Sequence, residues 1–214
     1  MLVIFDWDGT LIDSTGKIVG AMQTAIEGLG LPPLEDAPIQ NIIGLGVPEA
    51  ILKLYPHEPA SARESLRVAY SKAFVKADAV PCELYEGVET TLASLKNANM
   101  QLAVATGKSR KGLDRQLAKL GWADYFDATR CADETESKPS PQMLQQLLHE
   151  LDVSVDRALM VGDTEYDLLM AKNAGMASAG VSYGAHSVAH LQTFDPVVIV
   201  DHMSELGNYV LGRA

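Results

Sequence analysis

The sequence predicts an α/β fold: a Rossmann-like parallel sheet with helices on both faces and a helical segment inserted after the first strand. Six short apolar runs are too unbroken to leave one face in water, and read as buried strands. Segments of helical periodicity separate most of them, which is the alternation that a parallel sheet requires. Between about residues 13 and 82 the alternation fails, and every periodic segment there reads as helix.

In chain order, LVIF at residues 2–5 is the first strand. The insertion follows, with helices expected over 15–29, 39–43, 48–55 and 59–77, interrupted by LPPLEDAP and YPHEP, and 79–85 is the return linker. A helix over 86–99 leads into a strand at 101–106 and a helix at 109–120. In that helix Leu113, Leu117 and Leu120 share one face, while Lys111, Asp114, Arg115 and Lys119 occupy others. A strand at 126–131, a helix at 139–151, a strand at 158–162, a helix at 164–174 and strands at 176–181 and 197–200 complete the pattern. The expected division is a core of residues 1–14 and 84–214 around an inserted unit of residues 15–83.

Composition bounds the function. A chain of 214 residues with 47% hydrophobic content buries a sizeable core and is not disordered. With 17 Lys+Arg against 28 Asp+Glu, the net charge of −11 argues against nucleic acid or an anionic membrane surface as partner. Cys82 and Cys131 form no CxxC pattern, which suits a reduced compartment. The first apolar run stops at Asp6, too short for a secretory signal, and the uncharged stretch 176–194 is broken by Ser, Gly, His and Gln, unlike a membrane span. A soluble, cytoplasmic protein is expected.

In an open parallel sheet, ligands bind beyond the carboxyl ends of the strands. There the sequence places Asp6 and Asp8 after the first strand, Thr106 at the end of the second, Lys138 before the helix after the third, and Asp163 with Asp167 after the fourth. Each also has an ordinary structural reading. Asp6 and Asp8 fit an Asx turn closed by Gly9, Thr106 a loop before a helix capped by Ser109, Lys138 a solvated lysine, and Asp163 a helix cap with Asp167 on the helix dipole. A divalent cation is the other explanation for carboxylates gathered at strand ends.

Several competing patterns fail. A calcium loop needs Gly where Leu11 stands and Glu where Lys17 stands. GKS at Gly107 lacks the earlier glycine of a Walker loop, since Leu102 stands there. The GLG pairs at Gly28 and Gly44 lack the third glycine of a dinucleotide fingerprint, because Pro33 and Glu49 occupy its place. Gly180–Gly184 matches GxSxG with Asp195 and His202 behind it, but residues 183–214 hold one convincing strand, too few for a serine hydrolase. His186 and His190 are four apart, with no third ligand evident.

Taken together, DWDGT from Asp6, Thr106 after an apolar strand, Lys138 before Pro139 and GDTEYD from Gly162 resemble the four ordered motifs of the haloacid dehalogenase superfamily. The insertion resembles the α-helical cap domain of its phosphoglycolate phosphatase-like members. The resemblance implies that Asp6 is the nucleophile that becomes an aspartyl phosphate and Asp8 the general acid and base. It also implies that Thr106, Gly107 and Lys138 hold the phosphoryl oxygens. Mg²⁺ would be held by Asp6, the Asp8 main-chain carbonyl and Asp163, with Asp167 ligating through water or orienting the shell. Four carboxylates against Lys138 leave a formal −3, which one Mg²⁺ reduces to −1 and protonation of Asp8 to zero, so the charge count also favours the metal.

The expected activity is Mg²⁺-dependent hydrolysis of a small organic phosphomonoester, of phosphoglycolate or sugar-phosphate type. A phosphomutase of the β-phosphoglucomutase type and a non-catalytic phosphate-binding module are the alternatives. Asp8 speaks against the dehalogenase branch, because a halide leaving group needs no proton. Phosphonate cleavage would call for a lysine from the cap, for which Lys17 and Lys53 are candidates by position. The Ile43–Gly46 loop resembles a substrate-facing loop and reads equally as a hinge, while Arg63, Arg67, Lys72 and Lys76 read as a solvated helix face. The expected partner is a small phosphorylated metabolite, bound by a monomer or at most a dimer.

Overall fold

The computed structural model describes residues 1–213. Six parallel strands lie in the order β3-β2-β1-β4-β5-β6. The central strand β1 (Leu2–Phe5) pairs with β2 (Gln101–Thr106) on one side and β4 (Ala158–Gly162) on the other. The outer strands are β3 (Ala128–Cys131), β5 (Ala177–Val181) and β6 (Val198–Val200). The order reverses direction between β1 and β4, so the ends of these two strands border the crevice where open α/β sheets bind ligands.

Alternation along β1 explains why its sequence is apolar throughout. Val3 and Phe5 enter one core with helices α5 (Val88–Asn97), α6 (Arg110–Leu120) and α10 (Met203–Leu211). Leu2 and Ile4 enter the other, against α7 (Gln142–Glu150) and α8 (Glu165–Ala174). A strand covered on both faces has no position left for a polar side chain.

Between β1 and α5 the chain forms helices only: α1 (Thr15–Leu29), α2 (Asp36–Gln40), α3 (Val47–Leu54) and α4 (Ala60–Ala77). They bury their own apolar cluster, in which Val19, Met22, Ala25 and Ile26 of α1 meet Ile39, Ile51 and Leu66. The outgoing and returning segments pair where they cross, Asp13 N–H donating to Glu83 O at 2.9 Å and Tyr85 N–H to Leu11 O at 3.1 Å.

Several boundaries depart from the sequence expectation. Helix α2 begins at Asp36 rather than residue 39, because Pro38 is tolerated within a first turn. Helix α7 starts at Gln142, not Pro139, and a turn closed by Ser140 N–H to Ser137 O presents Lys138 to the sheet edge. Strand β3 starts at Ala128, since Phe126 turns into an aromatic cluster with Trp7 and Trp122. The short α9 (Val188–Leu191) and α10 were not expected. Yet α10 buries Met203, Leu206, Gly207 and Val210 at plain helical spacing.

Asp78, at the end of α4, ties the insertion to the core. Its carboxylate accepts from Arg115 Nε at 2.8 Å, Lys119 Nζ at 3.1 Å and Gln116 Nε2 at 3.4 Å, all on α6. Burial alone would raise this carboxyl, but the bonds from Arg115, Lys119 and Gln116 outweigh it and hold the group below its ordinary 3.8. A depressed carboxyl contributes stability that is complete above 3.8 and fades as pH falls through the folded value. Asp78→Ala should therefore cost about 1–2 kcal/mol in urea unfolding at pH 7, and the gap from the parent should close in melts at progressively more acid pH.

Candidate active site

The chain turns immediately after β1. Asp6 N–H continues the ladder to Val161 O at 2.8 Å, and Trp7 O accepts from Leu11 and Ile12 N–H at 3.0 and 3.1 Å. Trp7 is fully buried, its indole N–H donates to Gln116 Oε1 at 2.5 Å, and its ring meets Trp122 and Phe126 edge-on. The two aspartates thus flank a fixed anchor. Their carboxylates take different partners, where extended chain would have set them side by side.

Asp6 faces a buried cationic bridge. Lys138 Nζ donates to Asp6 Oδ1 at 2.5 Å and to Asp167 Oδ1 at 2.6 Å, and none of the three exceeds 1% exposure. Burial alone would depress the Lys138 ammonium, but the Asp167 and Asp6 carboxylates hold it above its ordinary value. Asp6 Oδ2 is buried with no hydrogen-bond partner among the described residues. Burial, with Asp167 and Asp163 nearby, pushes the Asp6 carboxyl well up against the opposing pull of Lys138. Asp163 is pushed up to about 7, first by burial and then by Asp167.

Asp163 accepts from Thr10 Oγ1 at 2.9 Å and Ala185 N–H at 2.7 Å. It is clasped between two glycines: a Cβ on Gly9 would lie 2.2 Å from its Oδ2, and one on Gly184 2.1 Å from its Cβ. Thr164, not Asp163, caps α8. Asp167 reaches back from the first turn to accept the Thr164 N–H at 3.1 Å and its hydroxyl at 2.7 Å. Carboxylate oxygens of Asp6, Asp163 and Asp167 lie within 4.8 Å of one another, an acidic cluster that can bind a metal ion.

Asp8 is held separately, by Ser14 Oγ donating to Oδ1 at 2.5 Å and Lys108 Nζ at 2.9 Å from Oδ2. Lys108, which the sequence reading passed over as part of a failed Walker tail, changes the charge count. Four carboxylates against Lys138 and Lys108 leave a formal −2 rather than −3, which one divalent cation brings to neutrality.

A cavity of about 60 Å³ opens onto these groups. Asp6, Asp8, Gly107 and Lys108 form its core side; Thr106, Lys138, Asp163 and Asp167 are not in its lining. The Thr106 hydroxyl instead accepts the Lys108 N–H at 3.2 Å, shaping the loop that presents Gly107. The insertion closes the other side with Ile43, Gly44 and Leu45 of the loop singled out from sequence. It packs so tightly that a Cβ on Gly107 would lie 2.5 Å from Gly44 O.

Neither candidate lysine of the insertion lines the cavity. Lys17 donates to Val80 O, and Lys53 crosses to α8, donating to Tyr166 Oη at 2.6 Å. His186 and His190 do acquire a third neighbour, Glu165, whose Oε2 is 3.1 Å from His190 Nε2. His186 Nδ1, however, is already used by the Glu165 N–H. Among the described residues no helix is long and apolar enough to cross a membrane.

Comparison with known proteins shows which family the chain resembles along its length. A relative from Dickeya dadantii strain 3937, "Probable phosphatase IndB", is 37% identical and covers 96% of this chain and 91% of its own. A "Phosphoglycolate phosphatase" of Vibrio vulnificus strain YJ016 is 31% identical over 100% of this chain and 97% of its own. The crystal structure of a hydrolase from Pseudomonas syringae shares the fold, with a TM-score of 0.91 at 21% identity, covering 100% of this chain and 99% of that one. The family model described as "Haloacid dehalogenase-like hydrolase" matches residues 3–181, and with the relatives spanning nearly its whole length the chain belongs to that family.

Proposed function

We propose that the protein is a Mg²⁺-dependent phosphatase of small organic phosphomonoesters, in which Asp6 forms an aspartyl phosphate and residues 15–83 act as the cap over the site. The observation that carries this reading is the Asp6 carboxylate, on a residue that lines the cavity, with one oxygen held by Lys138 and the other buried without a partner among the described residues. An oxygen so placed is costly unless it meets an electrophile or a cation.

The donor set fits a hard divalent ion: oxygen donors only, more negative charge than the lysines offset, and an orphaned carboxylate oxygen among them. Asp6, Asp163 and the Asp8 main chain would hold Mg²⁺. When bound, it neutralises phosphate charge as the substrate approaches. Asp167 lies within reach, but Lys138 takes one of its oxygens and Thr164 the other, which supports a positioning role.

In the first half-reaction Asp6 attacks phosphorus, the ester P–O bond breaks, and Asp8 gives its proton to the departing alkoxide. In the second, Asp8 takes a proton from water as that water attacks the aspartyl phosphate, releasing inorganic phosphate and restoring both carboxyls. Ser14 and Lys108 keep Asp8 aimed at the cavity, while Lys138 fixes Asp6 and offers its charge to a phosphoryl oxygen.

Three outcomes test this. Hydrolysis of p-nitrophenyl phosphate should vanish in EDTA and return with Mg²⁺; full activity in metal-free buffer would refute the site. Asp6→Asn should lower kcat by at least about a thousandfold, with phosphate release as the readout, and a rate equal to the parent's would rule out the aspartyl phosphate. Lys138→Met leaves two buried carboxylates uncompensated. It should cost about 3–5 kcal/mol in urea unfolding as well as the activity.

A further inference from the structure

The two sides of the cavity differ in chemistry. The core side carries all of its charge, and the only cation there, Lys108, is committed to Asp8 at 2.9 Å. The insertion lines the rest with Ile18, Met22, Ile43, Val47, Ala50 and Tyr70, among further apolar and main-chain contacts, and Tyr70 supplies its one polar side chain. Every other cation of the insertion is engaged or turned outward. Lys53 bonds Tyr166, Lys17 bonds Val80 O, Arg63 bonds Glu58 O, Arg67 pairs with Glu64, and Lys72 and Lys76 are exposed.

Main-chain groups bring no full positive charge to this wall. Helix α3 begins in the cavity wall, where its N-terminal N–H groups could meet an anion. Pro48 removes one of them, Gly46 N–H already donates to Ser137 Oγ at 2.8 Å, and the Glu49 carboxylate lies against Gly46, within 2.5 Å of where a Cβ would stand. That helix end is therefore already supplied with negative charge. Tyr70, raised by burial and then by Asp8, stays a neutral phenol.

A phosphoryl group seated at Asp6 directs its ester oxygen and alcohol toward this wall. A second anion on the alcohol would be buried against hydrocarbon with no free cation, which is strongly unfavourable. Resting on the phosphatase reading above, we propose that the substrates are phosphomonoesters of small uncharged alcohols, and that the apolar wall around Met22 and Ile43 selects against esters whose alcohol bears a carboxylate, phosphoglycolate included. The selectivity would set this chain apart from its relatives named as phosphoglycolate phosphatases.

The test compares kcat/KM with Mg²⁺ for isobutyl phosphate and 2-phosphoglycolate, whose alcohols have nearly the same shape and differ in charge. Electron withdrawal makes glycolate the better leaving group, so a preference for the isobutyl ester reads the pocket rather than the chemistry. A preference of at least about tenfold is expected; a smaller one, or a reversal, overturns the proposal while leaving a working phosphatase. Hydrolysis of neither ester, nor of p-nitrophenyl phosphate, would overturn the phosphatase reading and the proposal with it. Met22→Lys, which places an ammonium on the wall with a side chain of similar length, should shift the ratio several-fold toward phosphoglycolate. An unchanged ratio in folded Met22→Lys would overturn the role of this wall, and if that variant does not fold, the wild-type comparison decides alone.

Discussion

The site depends on one buried ammonium. Lys138 joins the end of β1 through Asp6 to the first turn of α8 through Asp167, from a loop that reaches in from the far side of β3. Three segments distant in sequence are thereby brought together. Taking these charges out of water costs several kcal/mol each, repaid only by short, well-directed bonds. The repayment is incomplete, because Asp163 adds a third carboxylate and Asp6 keeps an oxygen without a partner. Burial first, and then the surplus negative charge, raises the Asp6 and Asp163 carboxyls, and the same surplus suits the site to a divalent cation.

Around this cluster the structure fixes backbone before side chains. Trp7 is buried between two aspartates that line the cavity, and its bond to Gln116 connects the turn to α6. Gln116 in turn reaches Asp78, at the end of α4. The aspartate turn, the helix beneath it and the exit of the insertion are thus linked through polar groups, each with a partner. Gly9 and Gly184 serve a different end. Neither can carry a Cβ without striking Asp163, so the carboxylate is positioned by close backbone approach as well as by its hydrogen bonds.

Much of this was legible in the sequence, for reasons that can be named. Strands covered on both faces are apolar along their length, so LVIF and the LAVA of residues 102–105 stand out, and polar residues at their ends are visible against them. The assignment of Asp6, Asp8, Lys138, Asp163 and Asp167 to one sheet edge followed from that contrast and from the order of the motifs. Lys108 was missed because its neighbours Gly107 and Ser109 suggested a nucleotide loop, and rejecting that loop discarded the lysine with it. Helix α10 is hard to read because its buried positions, Met203, Leu206, Gly207 and Val210, include a glycine and the helix spans only nine residues. The pairing of Asp167 with Lys138, and the fit of Gly44 against Gly107, arise from tertiary packing, for which no local pattern exists.

The insertion and the core divide the work. The core brings every charged group of the cavity, while the insertion brings hydrocarbon, one phenol and main chain. Placing that surface over the carboxylates removes water, which strengthens each interaction among the charges. Closure is held by polar contacts outside the cavity. Lys53 bonds Tyr166, and Tyr166 Oη donates to Asn41 O at 2.7 Å, both at the start of α8, the helix that follows Asp163 and carries Asp167. The contacts that keep the insertion down therefore act on the same helix that organises the acidic cluster. Because they lie beside the cavity and not within it, the apolar wall and the closure rest on different side chains of the insertion.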